Sequence, residues 1–329
     1  MSERRHDPVF RRTVIVAENR AARPVEFPPL ATKRIDGDCP FCSGNEAATP
    51  REVDRIVNGS EAWAVRAVPN KFPAVEPVES TSTMESAATA NEFFASSSAV
   101  GGHEVIIESP DHRTTVSQLS DAESDSVWLM YTRRLEWWSR RAGFAQLFKN
   151  CGPAAGASIE HMHSQLIALA EPPATVAADL ASLADYAENH KQCGVCALIE
   201  QERRAAKRIV HADDDWIAFC PFASRFPYEV WIAPRRCEPR FERMAADCRD
   251  VGRLVKRLVR QIEHVLDFPA YNYLVQTAPF DSSPCDHYHW HIVLFPRIST
   301  QAGFEWGTGC FINPVSPEQA ATRLSIRPD

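Results

Sequence analysis

Apolar residues fall into short runs broken by Pro, Gly and Asn, with two long helical stripes among them. The runs Thr13–Ala17, Trp63–Val68, His103–Glu108, Leu166–Leu169, Trp216–Phe219, Tyr228–Ala233 and His287–Phe295 have the length and bounding residues of strands. Val127, Met130, Tyr131, Leu135 and Trp138 recur at helical spacing behind Ser120-Asp121-Ala122-Glu123, a capping box, which predicts a helix running to about Arg141. Val251, Leu254, Val255, Leu258, Val259, Ile262 and Leu266 predict a second. Residues 77–100, rich in Ser, Thr, Ala and Glu, read as a surface loop. Pro172-Pro173 opens an Ala-rich helical stretch that marks the junction between halves.

The order of parts occurs twice: C-x-x-C, Trp-led strand, Phe-Pro turn, Glu-Val strand, Pro-x-x-ligand, helix, His-x-His strand. Glu104 and Glu229 lie 125 residues apart, as do His112 and Cys237; His161 and His287 lie 126 apart. Such a repeat has to be found before the fold is assigned. It predicts a duplicated α+β barrel-like sheet, an antiparallel sheet plus helices in two tandem copies, with halves at 1–175 and 176–329. Matching offsets group Cys39, Cys42, His112 and His161 into one four-ligand set, and Cys193, Cys196, Cys237 and His287 into another. Both suit tetrahedral Zn2+, and four protein ligands mark structural sites with no open position. Redox use of a C-x-x-C pair is the weaker reading, since Cys39-Pro40-Phe41-Cys42 stands in a loop.

Composition bounds the rest. The 329 residues suffice for two units of ordinary size, and 44% apolar with 24% charged residues is the balance of a globular protein. A net charge of −7 argues against a general nucleic-acid binder, so an anionic ligand needs local arginines and backbone N–H groups. No apolar run approaches the roughly 18 residues of a membrane helix. Residues 1–7 lead into no signal-like core, so a cytoplasmic protein is expected.

The chemistry centres on Phe148 to Gln165. Gly152 and Gly156 let backbone N–H groups approach an anion, and His161 and His163, two apart, share a face if they lie on a strand. The second copy has no glycine between Thr277 and Asp286, so it reads as structural; a second active site at His289, within His287-x-His289-x-His291, is the weaker alternative.

Gly156-Ala157-Ser158-x-x-His161-x-His163-Ser164-Gln165 resembles the active-site motif of the galactose-1-phosphate uridylyltransferase family, a branch of the histidine-triad superfamily. The resemblance implies a histidine-triad-like fold in each half and His163 as nucleophile toward the α-phosphorus of a nucleotide sugar, with His161 on zinc. Gln165, where hydrolases of the superfamily carry a third histidine, favours transfer over hydrolysis, because an amide cannot shuttle a proton. By the same likeness, Arg20 and Arg23 touch the substrate phosphates, Asn70 and Phe72 the base, Asn150, Gly152 and Ser158 the substrate beside His163, and Gly303 the sugar. A homodimer is implied as well. The leading expectation is transfer of a nucleoside monophosphate from UDP-glucose to a hexose 1-phosphate, in galactose metabolism. The alternatives are an ADP-glucose or dinucleoside polyphosphate phosphorylase, and a zinc-stapled nucleotide-binding module without turnover. Two departures bear on the substrate: Met162 replaces the proline common between the histidines, and residues 302–314 look closer to the ADP-glucose phosphorylase-like branch.

Overall fold

The computed structural model describes residues 2–22, 39–59, 62–77, 93, 98–244, 248–280 and 287–325. A hairpin of β1 (Ser2–His6) and β2 (Thr13–Ala17) comes first. The first half continues with β3 (Asp54–Val57), β4 (Trp63–Pro69), β5 (Glu76–Pro77), β6 (Val100–Ile107), α1 (Asp121–Ser139), β7 (Phe144–Cys151) and β8 (His163–Leu169). Then follow α2 (Ala174–His190), α3 (Gly194–Ala205), β9 (Ile209–Ala212), β10 (Trp216–Phe219), β11 (Val230–Pro234), α4 (Cys248–Leu266), β12 (Tyr271–Gln276), β13 (His291–Pro296), α5 (Gly303–Thr308), β14 (Phe311–Asn313) and α6 (Pro317–Leu324).

The result is an α+β fold on a large, almost wholly antiparallel sheet. Its order is β3-β4-β6-β8-β7-β12-β13-β11-β10-β9, with β5 added beside β6. Read inward from either end, the two halves have the same order, and α1 and α4 occupy the same connection in each. The halves meet where β7 pairs with β12, Tyr271 opposite Cys151 and Val275 opposite Leu147. This seam matters for function, because it lays a second-half strand directly beside the loop that follows β7. The amino-terminal hairpin crosses over: β2 pairs in parallel with β14, and Val9 and Phe10 pack with Leu183, Val195, Ile199 and Trp231 of the second half.

α1 begins where its capping box places it. Ser120 Oγ accepts from Glu123 N at 3.2 Å, and the Glu123 carboxylate accepts from Ser120 N at 2.7 Å. Its apolar stripe and that of α4 press on one face of the sheet, burying Val127, Met130, Tyr131 and Leu135 with Leu254, Val255, Leu258 and Ile262. Each such side chain contributes about 1.5–3 kcal/mol when taken fully from water. Two strands begin later than the apolar pattern implies. Tyr228 has φ +57°, which delays β11 to Val230, and β13 starts at His291 rather than His287. Among the described residues no helix is long and apolar enough to cross a membrane. Most of the loop expected over 77–100 lies outside the described residues.

Candidate active site and metal clusters

β8 supplies the centre. His163 is its first residue and Gln165 stands two further along, on the same face. His161 lies just before the strand, in the bend that leads into it. Its Nε2–H donates to the Ser109 carbonyl at 2.9 Å, so Nδ1 carries the free lone pair. That nitrogen faces Cys39 Sγ at 3.5 Å and Cys42 Sγ at 3.6 Å, while His112 Nδ1 lies 3.5 Å from Cys42 Sγ. Sulfur and nitrogen ligands at zinc bond lengths and tetrahedral angles stand about 3.6 Å apart. The donor set therefore fits a tetrahedral metal, and all four ligand atoms lie within 4.8 Å of one another. The Ser109 carbonyl supplies the outer bond that orients a ligating imidazole. Phe41, between the two cysteines, sets its ring 6.0 Å from His161 and 5.3 Å from His163, so the metal-site loop also walls the neighbouring histidine.

His163 Nδ1–H donates to its own chain at the His161 carbonyl, 2.8 Å away. This fixes the tautomer and leaves Nε2 as the lone-pair nitrogen. Burial lowers the pKa of both rings, that of His161 to about 4, so both imidazoles are neutral near pH 7. A neutral imidazole with one nitrogen pinned and the other free is a nucleophile ready for use.

The loop after β7 turns on Gly152 (φ +83°) and Gly156 (φ +89°), a left-handed region that favours glycine. A Cβ on Gly152 would also meet Ala270 Cβ at 2.8 Å. The glycines thus serve the shape of the turn itself, in addition to the close approach expected of them. Asn272, from β12, clamps the turn across the seam. Its Nδ2 lies 2.8 Å from Asn150 Oδ1 and 2.9 Å from the Ala155 carbonyl. Ser158 is exposed.

On the other side of β8, Gln165 Oε1 lies 2.8 Å from His103 Nε2 and 3.4 Å from Asn70 Nδ2. Asn70 Oδ1 accepts from Phe72 N at 2.9 Å, and the Phe72 ring is 82% exposed. Asn70, Phe72 and Gln165 are therefore gathered into one corner. Beneath the strand lies a buried polar layer. Lys149 pairs with Glu108 and donates to the His163 carbonyl at 3.1 Å, and Glu108 also accepts from Tyr131 and Ser164. Arg20 is exposed after β2, with no contact to this cluster among the described residues, and Arg23 lies outside them. Gly303 opens α5 with nothing near its missing Cβ.

The second cluster needs a correction. Cys193, Cys196 and Cys237 bring their thiols within 4.8 Å of one another. Hydrogen bonds from Cys196 and Cys237 draw Cys193 toward the thiolate. The imidazole beside them belongs to His289, whose Nδ1 is 3.3 Å from Cys196 Sγ. His287 is exposed and meets Cys193 only through its backbone carbonyl, at 3.4 Å. His291 Nδ1 donates to the His289 carbonyl at 3.2 Å, as His163 does to His161, so equivalent histidines lie 128 residues apart. The counterpart of His163 is His291, not His289.

A family model described as a domain of unknown function (DUF4921) matches residues 65–327. An ADP-glucose phosphorylase of Arabidopsis thaliana is 32% identical over 97% of this chain and 91% of its own. The galactose-1-phosphate uridylyltransferase of Thermotoga maritima is 26% identical over 98% of both. The chain belongs to the galactose-1-phosphate uridylyltransferase-like family of the histidine-triad superfamily. Among solved structures, the A. thaliana ADP-glucose phosphorylase with bound ADP-glucose superposes with a TM-score of 0.84 at 30% identity over the whole of both chains. A uridylyltransferase superposes at 0.74 with 25% identity over 99% of this chain and 98% of its own.

Within this family member the two halves are not equivalent. His291 is 3% exposed, stacked on Trp231 at 4.4 Å with Phe10 edge-on at 6.2 Å. Burial lowers its pKa to about 3. The strands thus repeat, but the packing of the two histidines does not: the His291 ring is stacked on Trp231, whereas the His163 ring meets Phe41 edge-on.

Proposed function

We propose that this enzyme transfers a nucleoside monophosphate from a nucleotide sugar through His163, and that it is a phosphorylase of the ADP-glucose type. The observation that carries the reading is the His163 tautomer. With Nδ1–H held by the His161 carbonyl, Nε2 can form a bond to the α-phosphorus while the bond to the sugar 1-phosphate oxygen breaks. A phosphate oxygen then attacks the same phosphorus, the P–N bond breaks, and a nucleoside diphosphate leaves. Both the leaving and entering groups are already ionised, so neither step needs a proton relay. Gln165 donates to a phosphoryl oxygen, and Asn150, Gly152 and Ser158 line the approach. By the family likeness, Arg20 and Arg23 bind the phosphates, Asn70 and Phe72 take the base, and Gly303 of a second copy lies by the sugar in a homodimer. Phe304 and the 76% exposed Trp306 on α5 are the apolar residues such a partner would cover.

The nucleotide assignment follows the relative at 32% identity rather than the uridylyltransferase at 26%, and residues 302–314 point the same way. Uridylyl transfer to a hexose 1-phosphate is the second reading, favoured by the likeness to uridylyltransferases over the whole chain. A panel of ADP-, UDP- and GDP-glucose, each with water, phosphate or hexose 1-phosphate, separates them. ADP-glucose with phosphate is expected to be turned over at least about a hundredfold faster than ADP-glucose in water. Equal rates would show that Gln165 has been misread, and a preference for UDP-glucose with hexose 1-phosphate would establish the second reading.

We infer that both clusters hold zinc as structural metal: Cys39, Cys42, His112 and His161 in the first, and Cys193, Cys196, Cys237 and His289 in the second. Four protein donors leave no position for substrate, and bound zinc would tie the Phe41 loop to the catalytic strand. Elemental analysis is expected to find two zinc ions per chain. His289→Ala should retain one and His287→Ala both; the opposite pattern would restore the sequence-based assignment.

A further inference from the structure

We propose that His103 is a positioning residue. Its ring turns the Gln165 amide so that the NH2 group, and not the carbonyl oxygen, faces the transferred phosphoryl group. The inference rests on the transfer reading above and adds to it a residue that the sequence pattern does not single out.

His103 stands on β6 opposite Ile167 of β8, and Val105 stands opposite Gln165. Residues two apart on a strand share a face, so His103 and Gln165 are diagonal neighbours on one surface of the sheet. The tautomer of His103 follows from its contacts. The backbone N–H of Ala74 points at Nδ1 from 3.1 Å, which makes Nδ1 an acceptor and places the proton on Nε2. Nε2–H then donates to the Gln165 side chain at 2.8 Å. The Asn70 NH2 lies 3.1 Å from His103 Nε2 and 3.4 Å from the same Gln165 atom, and its orientation is fixed because Asn70 Oδ1 already accepts from Phe72 N. With the Nδ1 lone pair taken by Ala74 N–H, Nε2 carries its own hydrogen, so the Asn70 hydrogen goes to Gln165 and not to the ring. Two donors converge on one atom of an amide, and only a carbonyl oxygen can accept both. Gln165 Nε2 is thereby turned to the other side and has no protein partner among the described residues.

The consequence is chemical. Turned over, Gln165 would present a carbonyl oxygen to a phosphate and repel it; held this way, it presents two N–H donors. Ala74 and Asn70 belong to the segment that carries Phe72, so His103 also ties the proposed base pocket to the donor at phosphorus. The other amide of the site is set by the same device, since Asn272 occupies the oxygen of Asn150 and leaves its NH2 without a partner among the described residues.

The test is a mutant cycle on turnover of ADP-glucose with phosphate, supported by spectroscopy. His103→Ala and His103→Asn should each lower kcat about tenfold with KM within about twofold, the size of a misdirected rather than a deleted donor. His103→Gln, whose amide nitrogen reaches the place of Nε2, should recover most of that loss. In a Gln165→Ala background, His103→Ala should cost nothing further, because its effect passes through Gln165. An equal loss in both backgrounds, or no rescue by glutamine, would overturn the proposal. Long-range 15N–1H spectra should show His103 protonated at Nε2, and the Gln165 NH2 resonances should move in His103→Ala. An Nδ1–H tautomer would overturn the proposal even if the protein turned over no nucleotide sugar at all, so failure of the activity reading and failure of this one stay distinguishable.

Discussion

His163→Ala is expected to abolish nucleotidyl transfer while leaving the fold and both metal clusters in place. The ring is buried against Phe41, and its Nδ1 is spent on the His161 carbonyl. Its loss removes the imidazole that the proposed transfer uses, and His161 cannot replace it because it turns its lone pair toward the thiols. Loss of a nucleophile should cost at least about a thousandfold in rate, about 4 kcal/mol of barrier at roughly 1.4 kcal/mol per decade. Brief incubation with a nucleotide sugar labelled at the α-phosphorus should leave acid-labile, base-stable label on the wild-type chain and none on the variant. His291→Ala should keep the label, since that ring is roofed by Trp231 and Phe10. Label surviving in His163→Ala but lost in His291→Ala would reverse the roles of the halves. His163→Gly adds a rescue: a preformed imidazole–nucleotide adduct should enter the vacated space and pass its nucleotidyl group to phosphate. Rescue would locate the defect in the missing ring.

Much of this was legible in the sequence, for identifiable reasons. The box at Ser120 and Glu123 set the start of α1, and the repeated order of parts anticipated two halves with the same strand order. The three cysteines of the second cluster followed from spacing, but the imidazole beside them did not, because His287, His289 and His291 alternate. A one-residue slip in register exchanges the faces of a strand, but a two-residue slip preserves them, so pattern alone could not choose between His287 and His289. The His289 imidazole beside Cys196, and the bond from His291 to the His289 carbonyl that matches the one from His163 to His161, resolve it. His103 and Asn272 were hidden for another reason. Each lies far along the chain from the amide it sets, and they meet only through the pairing of β6 with β8 and of β7 with β12. Lys149 and Glu108 look like ordinary strand-edge charges in the sequence. Nothing in local pattern says that they are buried against each other.

That buried pair carries the largest expected effect on stability. Lys149 and Glu108 are each at most 1% exposed at the side chain, beneath the strand that bears His163. Glu108 also accepts from Tyr131 and Ser164, and Tyr131 shares its hydroxyl with Tyr273 at 2.6 Å. Burial keeps both phenols protonated, with pKa values raised well above their ordinary value. Lys149→Met would leave a carboxylate in the core with hydroxyl donors but no countercharge, and removing one partner of such a pair costs about 3–5 kcal/mol. Chemical denaturation should therefore show a sharply lower midpoint at an unchanged slope. Adding Glu108→Gln removes the stranded charge while keeping an oxygen for Tyr131 and Ser164, so the double variant should recover most of the loss. Its kcat then isolates the remaining defect, the missing bond from Lys149 to the His163 carbonyl. A cost below about 1 kcal/mol for Lys149→Met, the range of exposed pairs, would mean that water reaches the layer and that the carboxylate is solvated there.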